Sequence, residues 1–185
     1  FGCDRSGDFA FLQQAGAVAG FTVEEAATVE LNGSRVSSTR VREALQAADF
    51  VEAEHLLGRP FAIAGRVVHG QKLGRQLGAP TANVQLKRHR VPLNGVFLVS
   101  MELEGVLQPG VANIGVRPSV KADGFAHLEV HLLDFAGDLY DRRVSVVFHH
   151  KLRDEQRFAS LEALKSAIAA DVVAARAFWQ DQLNS

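Results

Sequence analysis

The pattern of hydrophobic and polar residues changes character twice along the chain. Up to residue 57 the apolar residues recur at helical spacing, which predicts helices over Asp8–Val18, Thr39–Leu45 and Phe50–Leu57. Ser37-Ser38-Thr39 precedes the second helix and supplies N-cap candidates. Because Pro60 cannot continue a helix, we place a boundary between residues 57 and 58. The apolar positions of the last two helices are Val41, Leu45, Val51 and Leu56.

Residues 61 to 150 follow a different pattern, in which short runs alternate between apolar and polar residues. Gly, Pro and Asn separate these runs, as is typical of strands joined by turns. Several short strands in succession favour an antiparallel barrel or a sandwich. The predicted strands are Phe61–His69, Gly95–Glu102, Val106–Ala112, His127–Leu133 and Arg143–His149.

The last part of the chain returns to helical spacing. Ser160 is a candidate N-cap for this helix. A single apolar stripe predicts a helix that packs on the sheet, in preference to one that binds a partner protein. The stripe consists of Leu161, Leu164, Ile168, Val172, Ala175, Trp179 and Leu183.

Composition narrows the class of protein. A chain of 185 residues, 47% of them hydrophobic, has room for one globular domain and a fragment of another. A net charge of -1 gives no overall field for nucleic acid or an anionic membrane. Cys3 is the only cysteine, which excludes an intramolecular disulfide and indicates a cytoplasmic setting. No apolar run approaches the roughly 20 residues that span a bilayer. Met101 is the only methionine, so we expect the chain to begin within a longer product.

A glycine-rich segment follows the first predicted strand. Gly70, Gly74 and Gly78 allow backbone N–H groups to approach phosphate oxygens, and Lys72 and Arg75 lie among them. The segment lacks the Gly-Lys-Ser/Thr of a P-loop, and no helical pattern follows it. Phosphate binding and an ordinary glycine-rich loop therefore both remain open at this point.

Pro80-Thr81-Ala82-Asn83 comes directly after the glycine-rich segment. On extended backbone the Thr81 hydroxyl and the Asn83 amide project to the same side. Both are hard oxygen ligands of the kind that Mg²⁺ accepts beside nucleotide phosphates. The alternative is a turn in which these side chains bond to nearby backbone.

The predicted strand around Glu129 has chemically different faces. Leu128, Val130 and Leu132 share one face, so Glu129 lies on the other with His127 and His131 at the two positions beside it. A carboxylate held on a strand is suited to act as a general base. The alternatives are a solvated polar face, or a metal site formed by the two histidines with His149 and His150 nearby in sequence.

The order of these segments resembles that of riboflavin kinase, and more closely the C-terminal half of the bacterial bifunctional riboflavin kinase/FAD synthetase. The resemblance covers the chain from about Arg59 onward, and Phe1–Asp8 and Val36–Arg42 resemble the end of the adenylyltransferase domain of the same family. The segments that carry the kinase resemblance are Gly65–Asn83, Asn94–Phe97, Gly110–Pro118, Leu128–Phe135, Gly137–Tyr140 and Leu152–Phe158.

The resemblance implies a small six-stranded antiparallel β-barrel with a C-terminal helix, so the chain would be mainly β. Residues 1–57 would be the C-terminal remnant of an α/β nucleotidyltransferase domain and residues 58–185 the kinase domain. The implied reaction transfers the γ-phosphate of ATP to the 5′-hydroxyl of riboflavin, with Mg²⁺, to give FMN and ADP. Nothing before Phe1 supplies the His-containing nucleotide motif of the adenylyltransferase, so FAD synthesis is not implied for this chain alone.

The resemblance also implies roles for individual residues. Thr81 and Asn83 would hold Mg²⁺, and Glu129 would be the catalytic base. ATP would be bound by His69, Gly70, Lys72, Gly74, Asp134, Phe135 and Tyr140. The flavin would be bound by Lys121, Arg153, Glu155 and Phe158. The chain departs from the usual family residues at Ala79, Phe97, Ser119 and Asp141.

Two other functions compete with the kinase prediction. A flavin- or nucleotide-binding barrel without catalysis would bind the same ligands but would not consume ATP. A metalloenzyme would use His127 and His131, although no third ligand follows at a characteristic spacing.

Overall fold

A computed structural model describes residues 7–70, 79–86, 91–116 and 126–183. The helices are α1 (Phe9–Ala19), α2 (Ser38–Gln46), α3 (Phe50–Leu57) and α4 (Leu161–Leu183). The strands are β1 (Glu30–Leu31), β2 (Ser34–Arg35), β3 (Ala62–Val68), β4 (Ala82–Gln85), β5 (Gly95–Leu103), β6 (Val106–Val116), β7 (Ala126–Leu132) and β8 (Arg143–Arg153). The chain forms two compact units, which divide between Val36 and Ser37.

The first unit contains a helix and a hairpin. Asp8 caps α1, because its side chain accepts a hydrogen bond from the Phe11 N–H at 2.8 Å. The helical prediction for the first 57 residues misses the hairpin of β1 and β2. Its turn is formed by Asn32 and Gly33, whose φ angles are 54° and 72°. An Asn-Gly pair favours this tight turn, because both of its central residues need positive φ.

The second unit is built on a closed barrel of six antiparallel strands, in the order β3-β4-β7-β6-β5-β8. This confirms the barrel and rules out the sandwich. The short strand β4 was not among the five strands predicted from alternation. Alternate residues of β7 are buried, so Leu128 and Val130 fill the interior while Glu129 lies on the outer face.

Helices α2 and α3 precede the barrel within the second unit. Ser37 caps α2, as predicted, by accepting a hydrogen bond from the Arg40 N–H at 3.3 Å. The ring of Phe50 in α3 lies 5.9 Å from that of Phe97 and 6.0 Å from that of Phe148, so α3 packs on barrel strands β5 and β8. Val51 is 67% exposed, so its predicted place on the apolar face is wrong.

Helix α4 packs on the outer face of the barrel. The Ser160 hydroxyl accepts a hydrogen bond from the Ala163 N–H at 3.1 Å, which confirms the predicted cap. Leu161 is 56% exposed and does not belong to the buried stripe. None of the described helices is long and apolar enough to cross a membrane. The cluster between α4 and the barrel contains Val96, Leu98, Val111, Leu133, Leu152, Val172, Ala175, Phe178 and Trp179.

Candidate active site

Three polar residues stand side by side across the outer face of the barrel. Asn83 of β4 pairs with Glu129 of β7, and Glu129 pairs with Asn113 of β6. Paired residues on adjacent strands project to the same face, with the strands about 4.8 Å apart. We call this set the polar row. The register continues from Asn113 to Val96 of β5 and from Val96 to Arg153 of β8.

A cavity of about 370 Å³ lies between the polar row and α4. Glu129 and Asn113 line one side, and Leu164, Ile168 and Val172 of α4 line another. This volume falls within the ~300–1,000 Å³ range of small-molecule sites, and an apolar wall opposite a few polar groups is typical of them. We call it the larger cavity.

A second cavity of about 260 Å³ adjoins the first. We call it the smaller cavity. Phe135, Leu139 and Tyr140 line it together with Pro80 and the barrel residue Val67. Thr81 lines both cavities and therefore forms part of the wall between them. Two ligands, one in each cavity, would therefore meet beside Thr81.

His131 holds the segment that carries Thr81. Its Nδ1 lies 2.9 Å from the carbonyl oxygen of Pro80, so Nδ1 is the protonated nitrogen and donates the hydrogen bond. This bond ties the start of β4 to β7. His131 therefore has a structural contact, and it also lines the larger cavity.

Gly70 lies directly over the side chain of Asn83. A Cβ atom at position 70 would collide with the Asn83 amide, so only glycine allows the chain to pass this closely. Beside it, the ring of His69 lies 3.8 Å from that of Tyr140, at the side of the smaller cavity. The predicted ATP residues Gly70, His69, Tyr140 and Phe135 thus lie near the Asn83 end of the polar row.

Arg153 is held in the larger cavity by an ion pair with α4. Its Nε lies 2.9 Å from Oδ1 of Asp171 and its Nη2 lies 2.7 Å from Oδ2. The guanidinium also lies 5.6 Å from the centre of the Phe158 ring, which permits a cation–π contact. Its charge is already balanced by a carboxylate, so Arg153 offers this cavity mainly a planar surface.

Glu155 approaches the barrel at Gly115. A Cβ atom at Gly115 would lie 2.6 Å from Oε2 of Glu155, so the absence of a side chain there makes room for the carboxylate. Gly115 pairs with His127 on β7, which also lines the larger cavity. The predicted flavin residues Arg153, Glu155 and Phe158 all line the same cavity.

Asp134 is engaged elsewhere. Its two carboxylate oxygens each accept a hydrogen bond of 2.7 Å from Arg176 of α4. These bonds hold the pKa of Asp134 below its ordinary value. Asp134 lines neither of the two cavities described above, unlike its neighbour Phe135. In this structure the Asp134 carboxylate therefore faces Arg176 and forms no part of the cavity that Phe135 and Tyr140 line.

His149 lies apart from two other histidines that competed as metal ligands, His127 and His131, which both line the larger cavity. His149 Nε2 lies 2.9 Å from the Ser100 hydroxyl, and its ring meets that of Trp179 edge-on at 4.9 Å. Burial lowers the pKa of His149, against a smaller opposing effect of Glu54. His149 is thus part of the packing under α4 and not of a shared site with His127 and His131. Within the described ranges, no group of three His, Cys, Asp or Glu residues could hold a metal ion.

Sequence reasoning missed three polar residues of the larger cavity, which are Asn113, Gln156 and Asp171. Asn113 interrupts a strand of buried residues, and Asp171 is 8% exposed on the apolar side of α4. A polar residue on an otherwise apolar surface was the available signal for Asn113 and Asp171. Among the predicted residues, Lys72, Gly74 and Lys121 lie outside the described residues, as do Arg75, Gly78 and Ser119.

The departures from the family pattern fit the structure. Ala79 is buried and lines the larger cavity, and Phe97 is buried in the aromatic cluster with Phe50. Asp141 has a φ of 63°, a conformation that glycine adopts without strain and aspartate tolerates. The backbone at position 141 explains why glycine is common there.

Comparison with known proteins agrees with this arrangement. The family model "Flavokinase: Riboflavin kinase" matches residues 57–179. The bifunctional riboflavin kinase/FMN adenylyltransferase of Pseudomonas fluorescens is 77% identical over 177 residues, which cover 96% of this chain and 57% of that protein. The protein of the same name from Escherichia coli K12 is 53% identical over 182 residues, which cover 97% of this chain and 57% of that protein. This chain therefore belongs to the riboflavin kinase family.

A solved structure extends the similarity to the fold. The crystal structure of a macrolide-efflux protein from Streptococcus pneumoniae is similar to this chain, with a TM-score of 0.70 and 33% sequence identity. The alignment covers 95% of this chain and 57% of that one. The chain thus spans a little over half the length of the relatives and of the structure it matches.

Proposed function

We propose that this chain transfers the γ-phosphate of ATP to the 5′-hydroxyl of riboflavin, giving FMN and ADP. The observation that carries the proposal is that Thr81 lines both cavities while Glu129 lines the larger one. A phosphate donor in the smaller cavity and an alcohol in the larger one would meet at a common wall. Holding two reactants in this way accounts for much of the rate of a phosphoryl transfer.

The two substrates divide between the cavities. ATP occupies the smaller one, where Phe135 and Tyr140 provide aromatic and apolar surface. Riboflavin occupies the larger one, with its ring against Arg153 and Phe158 and its ribityl chain along the polar row. His69, Gly70, Lys72, Gly74 and Asp134 remain proposed ATP residues, and Lys121 and Glu155 remain proposed flavin residues.

Glu129 acts as the general base. The 5′-oxygen attacks the γ-phosphorus, the bond from that phosphorus to the ADP oxygen breaks, and the hydroxyl proton passes to the Glu129 carboxylate. The carboxylate is suited to this role because a rigid strand holds it on the outer face of the barrel, between Asn83 and Asn113.

Thr81 and Asn83 are the residues that would hold Mg²⁺. Both side chains carry hard oxygen donors: Thr81 lies in the wall between the cavities, and Asn83 pairs with Glu129, which lines the larger cavity. When bound, the ion would offset charge on the transferring phosphate. A double variant, Thr81→Ala with Asn83→Ala, is expected to lose Mg²⁺-dependent nucleotide binding. Gln85→Ala, on the same strand and exposed, is the matched control, and an unchanged Mg²⁺ dependence in the double variant would contradict the assignment.

We also propose that residues 1–57 are the end of an adenylyltransferase domain and residues 58–185 the kinase domain, within a cytoplasmic protein. The names of the bifunctional relatives and the start of the family match at residue 57 support this division. Adenylylation of FMN is then an activity of the longer protein. It is tested by supplying FMN and ATP to the full-length protein and to this chain, where only the former should form FAD.

Incubation of the purified chain with riboflavin, ATP and Mg²⁺ tests the kinase proposal directly. We expect FMN and ADP to form in equal amounts, as measured by chromatography. Flavin binding without ATP consumption would favour the non-catalytic barrel instead. Zinc or iron in stoichiometric amount in the purified protein, with no FMN formed, would favour a metalloenzyme.

A further inference from the structure

Asn113 has an unsatisfied polar atom beside the larger cavity. Its Oδ1 is buried and has no hydrogen-bond partner among the residues that the structure describes. Burying an unpaired acceptor costs free energy, so such atoms call for an explanation. The Trp179 Nε1 is also buried without such a partner, but Trp179 lines neither cavity, whereas Asn113 lines the larger one. A ligand in that cavity is therefore a natural partner for the Asn113 amide.

The register determines which part of a ligand reaches Asn113. Asn113 pairs with Glu129 and stands on its far side from Asn83, in the direction of Val96 and Arg153. The distance from Glu129 to Asn113 is one strand spacing, about 4.8 Å. C–C bonds are about 1.5 Å long, so in an extended five-carbon polyol the middle carbons lie about this distance from the terminal hydroxyl. A polyol whose terminal hydroxyl is at Glu129 would therefore place a secondary hydroxyl near Asn113.

We propose that Asn113 binds a secondary hydroxyl of the ribityl chain and thereby aligns the polyol along the polar row. This inference rests on the proposed function, because it places the 5′-hydroxyl at Glu129. A hydroxyl group both donates and accepts, and so does a carboxamide, so the pair is satisfied with either end of the amide facing the cavity. Asn113 thus selects flavins that carry a polyol over flavins that carry a plain alkyl alcohol.

The test compares two substrates in the protein with and without Asn113→Ala. One substrate is riboflavin, and the other is an analogue whose ribityl chain is replaced by a 5-hydroxypentyl chain. The analogue keeps the terminal hydroxyl and lacks the secondary ones. Flavin affinity without ATP and kcat/KM with ATP are both measured. Gln108→Ala is the matched control, because Gln108 lies on the same strand, bonds to the Leu133 carbonyl and lines neither cavity.

We expect Asn113→Ala to lower riboflavin affinity and kcat/KM about 10- to 100-fold, because a site built for a hydroxyl loses its partner. For the analogue, the same substitution should change affinity and kcat/KM by less than about threefold. Equal losses for both substrates, or no loss for riboflavin, would overturn the proposal. Asn113→Leu, which is similar in size and has no polar side-chain atom, provides the same comparison if the alanine variant does not fold.

Failure of the kinase proposal gives a different result. If the unsubstituted protein binds riboflavin but makes no FMN, the kinase proposal is wrong, and the two affinities still decide the role of Asn113. If the protein binds riboflavin more tightly than the analogue only when Asn113 is present, the contact between Asn113 and the polyol is supported even though no reaction occurs.

Discussion

The outer face of the barrel has two halves that follow the same alternation and do different things. In the open half, Asn83, Glu129 and Asn113 form the polar row, and the last two line a cavity. In the covered half, Leu98 packs under α4 and Ser100 bonds to His149. The strands project side chains outward in both halves, so the difference lies in what stands opposite. Where α4 contacts the outer face, the side chains of that face contribute stability. Where a cavity separates α4 from the outer face, those side chains are available for chemistry.

The largest effect is expected at the open half. Glu129→Gln should lower kcat by about 10²- to 10⁴-fold, the usual contribution of a general base. Riboflavin affinity and the free energy of unfolding should change little, because the amide keeps the size of the carboxylate. Glu102→Gln, at an exposed position on β5, serves as the control. Turnover that survives in Glu129→Gln would remove this residue as the base.

The covered half should respond in the opposite way. Leu98 is 1% exposed beneath α4, so Leu98→Ala should lower the free energy of unfolding by about 2–5 kcal/mol. The value of kcat per folded molecule should be nearly unchanged. Leu107→Ala, at a position that is 59% exposed, should change stability by less than about 0.5 kcal/mol. Denaturant unfolding of both variants measures this. A loss of turnover in folded Leu98→Ala would contradict the division of the outer face into a half for stability and a half for chemistry.

Asp171 connects the two halves, because it lies on α4 and holds Arg153 in the larger cavity. Asp171→Asn should lower the free energy of unfolding by about 1–3 kcal/mol, less than for a fully buried pair, and should also raise the KM for riboflavin. The exposed Arg142–Glu104 pair is the matched control, and Glu104→Gln should cost at most about 1 kcal/mol. An unchanged KM in Asp171→Asn would mean that the pair serves packing alone.

The smallest effect concerns pH and His149. Its folded-state pKa lies below the ordinary 6.5 because of burial, so the unfolded chain takes up the proton first as the pH falls. The free energy of unfolding is therefore fully retained above about pH 6.5. Below that pH it declines, by at most about 1.4 kcal/mol per pH unit, until the pH reaches the folded-state pKa. In unfolding titrations, His149→Asn should remove this part of the pH dependence, and His150→Asn, at an exposed position, should retain it. Equal slopes in both variants would exclude His149 as the source.

Alternation predicted the elements that bury one face. Leu128, Val130 and Leu132 identified β7 and therefore the direction of Glu129, as the structure confirms. The four residues of β4 are too few to display a period, and the barrel closes around them only because β3 and β7 both pair with them. Tertiary pairing, and not local pattern, makes this segment a strand.

The contents of the site were predictable only where a motif carried them. Thr81 and Glu129 could be named from sequence, but their convergence on two adjoining cavities depends on barrel closure. Asp171 lies 18 residues beyond Arg153, and nothing in the local sequence pairs them. Such contacts depend on how α4 lies on the barrel. An apolar stripe predicts which face of the helix is buried, but not how far the helix is shifted along its own axis.

Because side chains alternate between the two faces of a strand, Asn83, Glu129 and Asn113 reach the outer face only while the strands keep their present length and register. One residue inserted before Glu129 within β7 would turn the carboxylate into the barrel and bring an aliphatic side chain to the outer face. Two inserted residues would restore the outward direction but shift the carboxylate by about 6.6 Å along the strand. Point substitutions can therefore adjust this site gradually, whereas a change in the length of β7 would abolish it in one step.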